Sequence, residues 1–225
     1  MRILIIEDDE HLRLSLKRGL ESEYYTVDHS EDGVNGSYIA RTHEYQLIII
    51  DYVLPGKDGL EIVKDIRTKG INSPIMMMSV KGDPNDKVTL LESGADDYLV
   101  KPFTYNEFRA RVHALTRRTY KISDEVLTID DLTLDPRRTE VKKDGKRVYL
   151  TRKEFLILQS LMKRKGEVVS RGELLEEVWN RETDPFSNTV EAHVRNLRKK
   201  VEAGDTKRVI HTVPGRGYKV DPDGR

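Results

Sequence analysis

Apolar positions along the first half of the chain fall into short unbroken runs. Ile3–Ile6, Leu47–Ile50 and Ile75–Met78 are apolar throughout, and Thr26–His29 and Tyr98–Val100 are shorter β-prone segments. Runs with no polar alternation predict parallel strands covered on both faces. The segments between them carry a different period. Leu12, Leu16 and Leu20 recur every four residues, Leu60, Val63 and Ile66 every three, and Phe108, Val112 and Leu115 at i, i+4, i+7. These spacings place one apolar stripe on each of several helices. Five strands alternating with five helices over residues 1–118 predict an α/β, doubly wound sheet.

The second half changes pattern. Val126–Ile129, Leu132–Leu134, Thr139–Lys142 and Arg147–Leu150 are β-prone pieces separated by Asp135-Pro136 and Asp144-Gly145. Asp-Gly is a strong signal for a two-residue hairpin turn, so a small antiparallel sheet is expected. Thr151-Arg-Lys-Glu154 and Ser170-Arg-Gly-Glu173 each read as a capping box opening a helix. A third helix is expected from about residue 187 to 203, where Val190, Val194, Leu197 and Val201 share a face. Val209–Val213 and Tyr218–Val220 flank Pro-Gly-Arg-Gly and predict a closing hairpin. Three helices and a hairpin make a winged helix-turn-helix. The expected organisation is therefore one domain over residues 1–118, a linker over 119–125 and a second domain over 126–225.

Composition narrows the chemistry. The 225 residues include no Cys, which removes disulfides, thiolate nucleophiles and Cys-based zinc sites. No run approaches the roughly 18 apolar residues of a membrane span. The apolar start is too short for a signal peptide. A cytoplasmic location without membrane attachment is the expectation. The formal net charge of zero hides an asymmetry: residues 1–118 carry 16 Lys+Arg against 20 Asp+Glu, and the remainder 23 against 19. An acidic half joined to a basic half predicts different partners, a polyanion for the second.

Acidic residues cluster where the strands end. Glu7 and Asp8 follow the first strand, Asp51 the third, Ser79 the fourth and Lys101 the fifth. Ligand crevices of doubly wound sheets lie at these carboxyl ends. A single acidic residue there often only caps a helix, which is the simpler reading of Asp9; five functional groups at strand ends call for a site. Crowded carboxylates attract a hard cation, and oxygen ligands suit Mg²⁺. A partly neutralised Asp can attack phosphorus and form an acyl phosphate, with Lys101 and Ser79 placed for the phosphoryl oxygens. A metal-dependent phosphohydrolase on the same sheet is the rival, but Glu7-Asp8-Asp9-Glu10 stands where a phosphate-binding Gly-rich loop would be.

The segments Glu7-Asp8-Asp9, Asp51-Tyr-Val-Leu-Pro-Gly-Lys-Asp-Gly59, Ser79, Gly94-Ala-Asp-Asp-Tyr98 and Lys101-Pro-Phe103 resemble the flavodoxin-like receiver domain of bacterial response regulators. Thr151-Arg-Lys-Glu-Phe155, the run Val190–Lys200 and Gly215-Arg-Gly-Tyr218 resemble the effector domain of the OmpR/PhoB family. The resemblance implies a two-component response regulator rather than an enzyme. It makes Asp51 the phosphoacceptor for a cognate sensor histidine kinase. Glu7, Asp8, Asp51 and the Val53 carbonyl become the Mg²⁺ ligands, Lys101 the phosphoryl contact, and Ser79 with Tyr98 the switch pair. Val80 follows Ser79 where the family often has Ala.

The resemblance also implies a homodimer formed on phosphorylation, through a face with Lys87, Val88, Leu91, Asp96, Asp97, Glu107, Arg111, Ala114 and Arg118. On that reading Arg111 and Arg118 meet Asp96 or Asp97 across the interface. The basic domain is expected to bind direct repeats in promoter DNA and to meet RNA polymerase. In the third helix, Asn196 is the candidate for adenine and Ala192 for a thymine methyl. Arg195, Arg198 and Lys199 are the candidates for phosphates. Asn188, Thr189 and His193 lie beside them, and Arg216 takes the wing contact because Pro214 stands where many members have Arg.

Overall fold

The computed structural model describes residues 1–80, 93–119, 125–180, 189–203 and 208–221, with the backbone alone for 117–119. The chain divides into two compact units, Met1–Lys121 and Ile122–Arg225. Residues 81–92, which include Lys87, Val88 and Leu91 of the expected dimer face, and most of the 119–125 linker lie outside the described residues.

In the first unit, β1 (Arg2–Ile6), β2 (Thr26–Ser30), β3 (Leu47–Asp51), β4 (Ile75–Ser79) and β5 (Asp97–Val100) form one sheet in the order β2-β1-β3-β4-β5. All four pairings are parallel. The described helices are α1 (Glu10–Ser22), α2 (Gly33–Thr42), α3 (Gly59–Thr68) and α4 (Tyr105–Thr119). Alternate residues of the central strands serve opposite faces. Leu4, Ile6, Ile48, Ile50, Ile75 and Met77 pack with Ile39 of α2 and Ile62, Val63 and Ile66 of α3. Ile3, Ile5, Leu47, Ile49, Met76 and Met78 pack with Leu16 and Leu20 of α1 and Phe108, Val112 and Leu115 of α4. The unbroken apolar runs are thus explained by two cores sharing one sheet. At the amino ends of the strands, Arg2 Nε pairs with the buried carboxylate of Asp28 at 2.7 Å, and Tyr45 donates its hydroxyl to the same carboxylate at 2.8 Å.

In the second unit, β6 (Leu127–Ile129), β7 (Leu132–Asp135), β8 (Glu140–Lys143) and β9 (Lys146–Arg147) form an antiparallel sheet in sequence order. Asp144 and Gly145 both have positive φ, 50° and 71°, which gives the β8–β9 turn the left-handed twist-matching form that Asp-Gly favours. The last strand is shorter and earlier than the expected Arg147–Leu150: only the Val148 amide continues the pairing, at 2.8 Å to the Val141 carbonyl. The chain must then reach Thr151, the cap of the next helix.

α5 (Arg152–Lys163) and α6 (Arg171–Val178) each open on a complete capping box, Thr151 with Glu154 and Ser170 with Glu173. α7 (Thr189–Val201) buries Val190, Val194, Leu197 and Val201. The hairpin β10 (Ile210–Val213) and β11 (Gly217–Val220) follows and joins Val169 through a bridge to Tyr218. Gly217 sits at φ +143°, and a Cβ there would lie 2.1 Å from the Val169 carbonyl oxygen.

Candidate functional site

The carboxyl ends of β1 and β3 bring three acids together. Asp51 is the last residue of β3, and Glu7 and Asp8 follow β1 directly. One carboxylate oxygen from each lies within 4.8 Å of the other two. Glu7 and Asp51 are buried, at 1% and 7% exposure, while Asp8 is exposed. Lys101, just beyond β5, donates from Nζ to Glu7 Oε2 at 2.8 Å and to Asp51 Oδ2 at 3.0 Å. The other Asp51 oxygen accepts from the Tyr52 amide at 2.8 Å. Gly59 lets the following loop close on the site: a Cβ there would come 2.4 Å from the Asp51 carbonyl oxygen.

Burial raises the carboxyls of Glu7 and Asp51 above their ordinary range, and Lys101 only partly opposes it. Burial alone would lower the Lys101 ammonium, but its hydrogen bonds to the two carboxylates outweigh that and raise it. Among the described residues, three carboxylates meet at the mouth, and the Lys101 ammonium bonds two of them. That donor set of hard, crowded oxygens fits a small divalent cation such as Mg²⁺.

Ser79, the last residue of β4, is buried, and its carbonyl accepts the Lys101 amide at 2.8 Å. Tyr98 on β5 is half-buried against the core that contains Ile75 and Met77. Val53 and Val80 are exposed at the rim.

On α4, Arg111 does not wait for an outside partner. Its Nη1 lies 2.9 Å from Asp97 Oδ1 and its Nη2 3.0 Å from Glu107 Oε1 within the same chain. Asp96 is also engaged, with Arg67 Nη2 and the Ile75 amide each 2.8 Å from Oδ2. The charges expected to pair between two copies thus have partners in one copy. Lys87, Val88, Leu91 and the Arg118 side chain lie outside the described residues.

In the second unit, a helical turn of about 100° per residue puts Ala192, Arg195, Asn196 and Lys199 on the face of α7 opposite its buried valines. Arg195, Asn196 and Lys199 are exposed, as is Arg216 at the hairpin tip; Ala192 is half-buried. Arg198, expected at a phosphate, is engaged within the unit. Its Nε donates to the Ile210 carbonyl at 3.1 Å, its Nη2 to Thr212 Oγ1 at 2.8 Å, and the guanidinium lies 5.9 Å from the centre of the Tyr218 ring. It ties α7 to the hairpin.

The half-buried His193 ring sits 5.5 Å from that of the buried Trp179, and burial lowers its pKa below the ordinary value. Thr189 is half-buried at the start of α7, and Asn188 lies outside the described residues. Sequence reasoning missed the clasp at the other flank of α7, where Lys200 Nζ reaches Glu154 Oε2 at 2.7 Å. Burial alone would raise the Glu154 carboxyl, but Lys200 and the Thr151 amide and hydroxyl hold it lowered. The capping box signalled Glu154; nothing in the spacing signalled its second partner, 46 residues away.

Comparison with known proteins matches both units. A family model described as the response regulator receiver domain matches residues 3–113, and one described as the C-terminal part of transcriptional regulatory proteins matches residues 145–220. The chain is 40% identical over 221 residues to the transcriptional activator protein IrlR of Burkholderia pseudomallei, covering 98% of this chain and 96% of that one. It is 41% identical over 220 residues to the transcriptional regulatory protein CutR of Streptomyces coelicolor, covering 98% and 100%. The solved receiver domain of the Francisella response regulator 1452 superposes with a TM-score of 0.52 at 32% identity, covering 53% of this chain and 98% of that one. With both halves matched in this order and relatives alike over nearly the full length, the chain belongs to the OmpR/PhoB family of two-component response regulators, which control transcription.

Proposed function

We propose that Asp51 is the phosphoacceptor and that its phosphorylation converts the protein to a dimer on promoter DNA. The observation that carries this reading is the shared ammonium: Lys101 lies at hydrogen-bond distance from Asp51 within a cluster of three carboxylates. In the reaction, a carboxylate oxygen of Asp51 attacks the phosphorus of the sensor kinase's phosphohistidine. The P–N bond breaks, imidazole leaves and an acyl phosphate remains. Mg²⁺ held by Glu7, Asp8, Asp51 and the Val53 carbonyl would neutralise charge that otherwise repels the incoming phosphoryl group.

Lys101 then follows the new charge from the carboxylate to a phosphoryl oxygen, releasing its hold on Glu7. Ser79 closes on another oxygen, and Tyr98 turns inward behind it. That rearrangement reaches the face built from Asp97, Glu107 and Arg111, which exchanges its intrachain ion pairs for contacts with a second copy. The effector units of such a dimer occupy direct repeats. α7 lies in the major groove and Arg216 at the minor groove, where RNA polymerase can be engaged nearby. The role is regulatory rather than enzymatic.

Intact-mass measurement after treatment with acetyl phosphate and Mg²⁺ tests the assignment. One added phosphoryl group is expected in the wild type and none in Asp51→Ala. Unchanged uptake in the variant would overturn it.

A further inference from the structure

Arg13 lies on α1, one turn past the acidic loop, and is 6% exposed. A buried guanidinium normally needs a buried carboxylate beside it. Among the described residues, the one ion pair recorded for Arg13 is to Glu31 at 3.5 Å, and that side chain is 77% exposed. The main partners are backbone atoms instead. Nη1 donates to the Glu7 carbonyl at 2.8 Å and to the Asp8 carbonyl at 3.0 Å. Nε is buried with no hydrogen-bond partner among the described residues. As a packing residue Arg13 is a poor choice, because an apolar side chain would avoid the desolvation of an imperfectly satisfied charge.

The two carbonyls explain its presence. Glu7 and Asp8 follow β1, beyond the last ladder residue Ile6. The Glu7 amide is held by the Ser30 carbonyl at 3.1 Å, while its own carbonyl and that of Asp8 accept from the guanidinium. With both peptides fixed, the Glu7 and Asp8 carboxylates are committed to the mouth that they share with Asp51. We propose that Arg13 is a positioning residue for the acidic cluster: by gripping the Glu7 and Asp8 carbonyls it preorganises their carboxylates for a divalent cation. This rests on the cation reading of that cluster.

Charge and geometry make opposite forecasts, which makes the idea testable. Arg13 carries a positive charge beside a cation site. If it acted through charge or were mere filling, Arg13→Gln would leave Mg²⁺ affinity unchanged or tighten it. If it positions the ligands, the same change weakens Mg²⁺ binding, by about tenfold, the lower end of what outer-shell partners of metal ligands contribute. The Mg²⁺ titration is read on the amide resonances of residues 7–9 and 52 in the full-length, unphosphorylated protein. Arg13→Lys keeps the charge and can reach one carbonyl, so its dissociation constant should fall between those of the wild type and Arg13→Gln. Glu31→Gln keeps the carbonyl grip and should stay within twofold of wild type.

A second readout separates positioning from loss of fold. In acetyl phosphate uptake, Arg13→Gln should raise the Mg²⁺ concentration for half-maximal rate more than it lowers the rate at saturating Mg²⁺. A lower melting temperature with unaltered Mg²⁺ affinity would overturn the proposal, as would Arg13→Gln binding Mg²⁺ as tightly as wild type. Failure of the wild type itself to shift with Mg²⁺ would instead remove the cation reading beneath it.

Discussion

Replacing Lys101 by Met removes the ammonium that Glu7 and Asp51 share, from contacts of 2.8 and 3.0 Å. At an effective dielectric of about 20, each contact is worth roughly 5–6 kcal/mol of gross Coulomb energy. Most of that is offset by the cost of burying the charges, and the net loss on stranding one partner is about 3–5 kcal/mol. A proton sets where in that range the loss falls. One carboxyl can protonate and hydrogen-bond to the other, and holding it protonated at pH 7 rather than at its ordinary 4.5 costs about 1.4 kcal/mol per unit, so roughly 3.4 kcal/mol. The expected destabilisation at pH 7 without Mg²⁺ is therefore about 3 kcal/mol.

The sign of its pH dependence follows from linkage. Glu7 and Asp51 already have raised pKa values in the folded protein, so the fold binds protons more readily than the open chain just above the ordinary carboxyl range. Stability from these groups is present at low pH and is lost as pH rises through the folded values. Lys101→Met raises those values further, and its deficit should shrink by up to about 1.4 kcal/mol per unit on going down from pH 7 towards 5. Urea unfolding followed by circular dichroism measures the deficit. Fluorescence of Trp179, the only Trp, lies in the second unit and marks the transition that the variant should leave in place. Added Mg²⁺ should recover part of the loss. A deficit of the same size at pH 5 and pH 7 would refute the shared-ammonium argument.

Reversing Arg111 to Glu sets like charges among Asp97 and Glu107 and should leave the phosphorylated protein monomeric in sedimentation; the exposed pairs it breaks contribute only about 0.2–1 kcal/mol each to the fold. A variant that dimerises as the wild type does would place the interface elsewhere. Asn196→Ala should relax preference at one base pair by about 1–3 kcal/mol in selection from random duplex DNA, and selection of an unchanged motif at every position would exclude a base contact. Because burial lowers the His193 pKa, the drop in Trp179 fluorescence on protonation should come at lower pH than for an ordinary imidazole, and should be absent in His193→Gln.

The fold was largely legible because its signals are local and periodic. Two strands' worth of isoleucine, two capping boxes and Asp144-Gly145 each encode structure within a few residues. The acidic mouth was legible for a different reason: strand ends of a parallel sheet converge, so Glu7 and Lys101 could be brought together although 94 residues separate them. Besides the Lys200–Glu154 clasp, what escaped were side chains with backbone carbonyls among their partners. Arg13 on the Glu7 and Asp8 peptides, and Arg198 on Ile210, answer to groups that every residue carries, so no residue type marks them. Arg198 looked like one more cation on a basic helix. Arg111 and Asp97 looked complementary between copies, and the same complementarity serves within one.

The two-faced core has a further consequence for how the sheet finds its alignment. A strand with one polar face cannot slip by a residue without burying the wrong side chains. The central strands have no such safeguard, since Ile3–Ile6 and Leu47–Ile50 offer apolar residues to both cores and would do so again one position along. Alignment must then be read from the strand ends. A slip in one direction drags Glu7 into the apolar sheet or Asp51 deeper along it; a slip in the other pulls Arg2 away from Asp28 and deeper along its strand. The carboxylates at the mouth and the ion pair at the opposite end act as stops on a sliding bolt. A regulator silenced by making its acidic cluster apolar would lose one of those stops along with its chemistry.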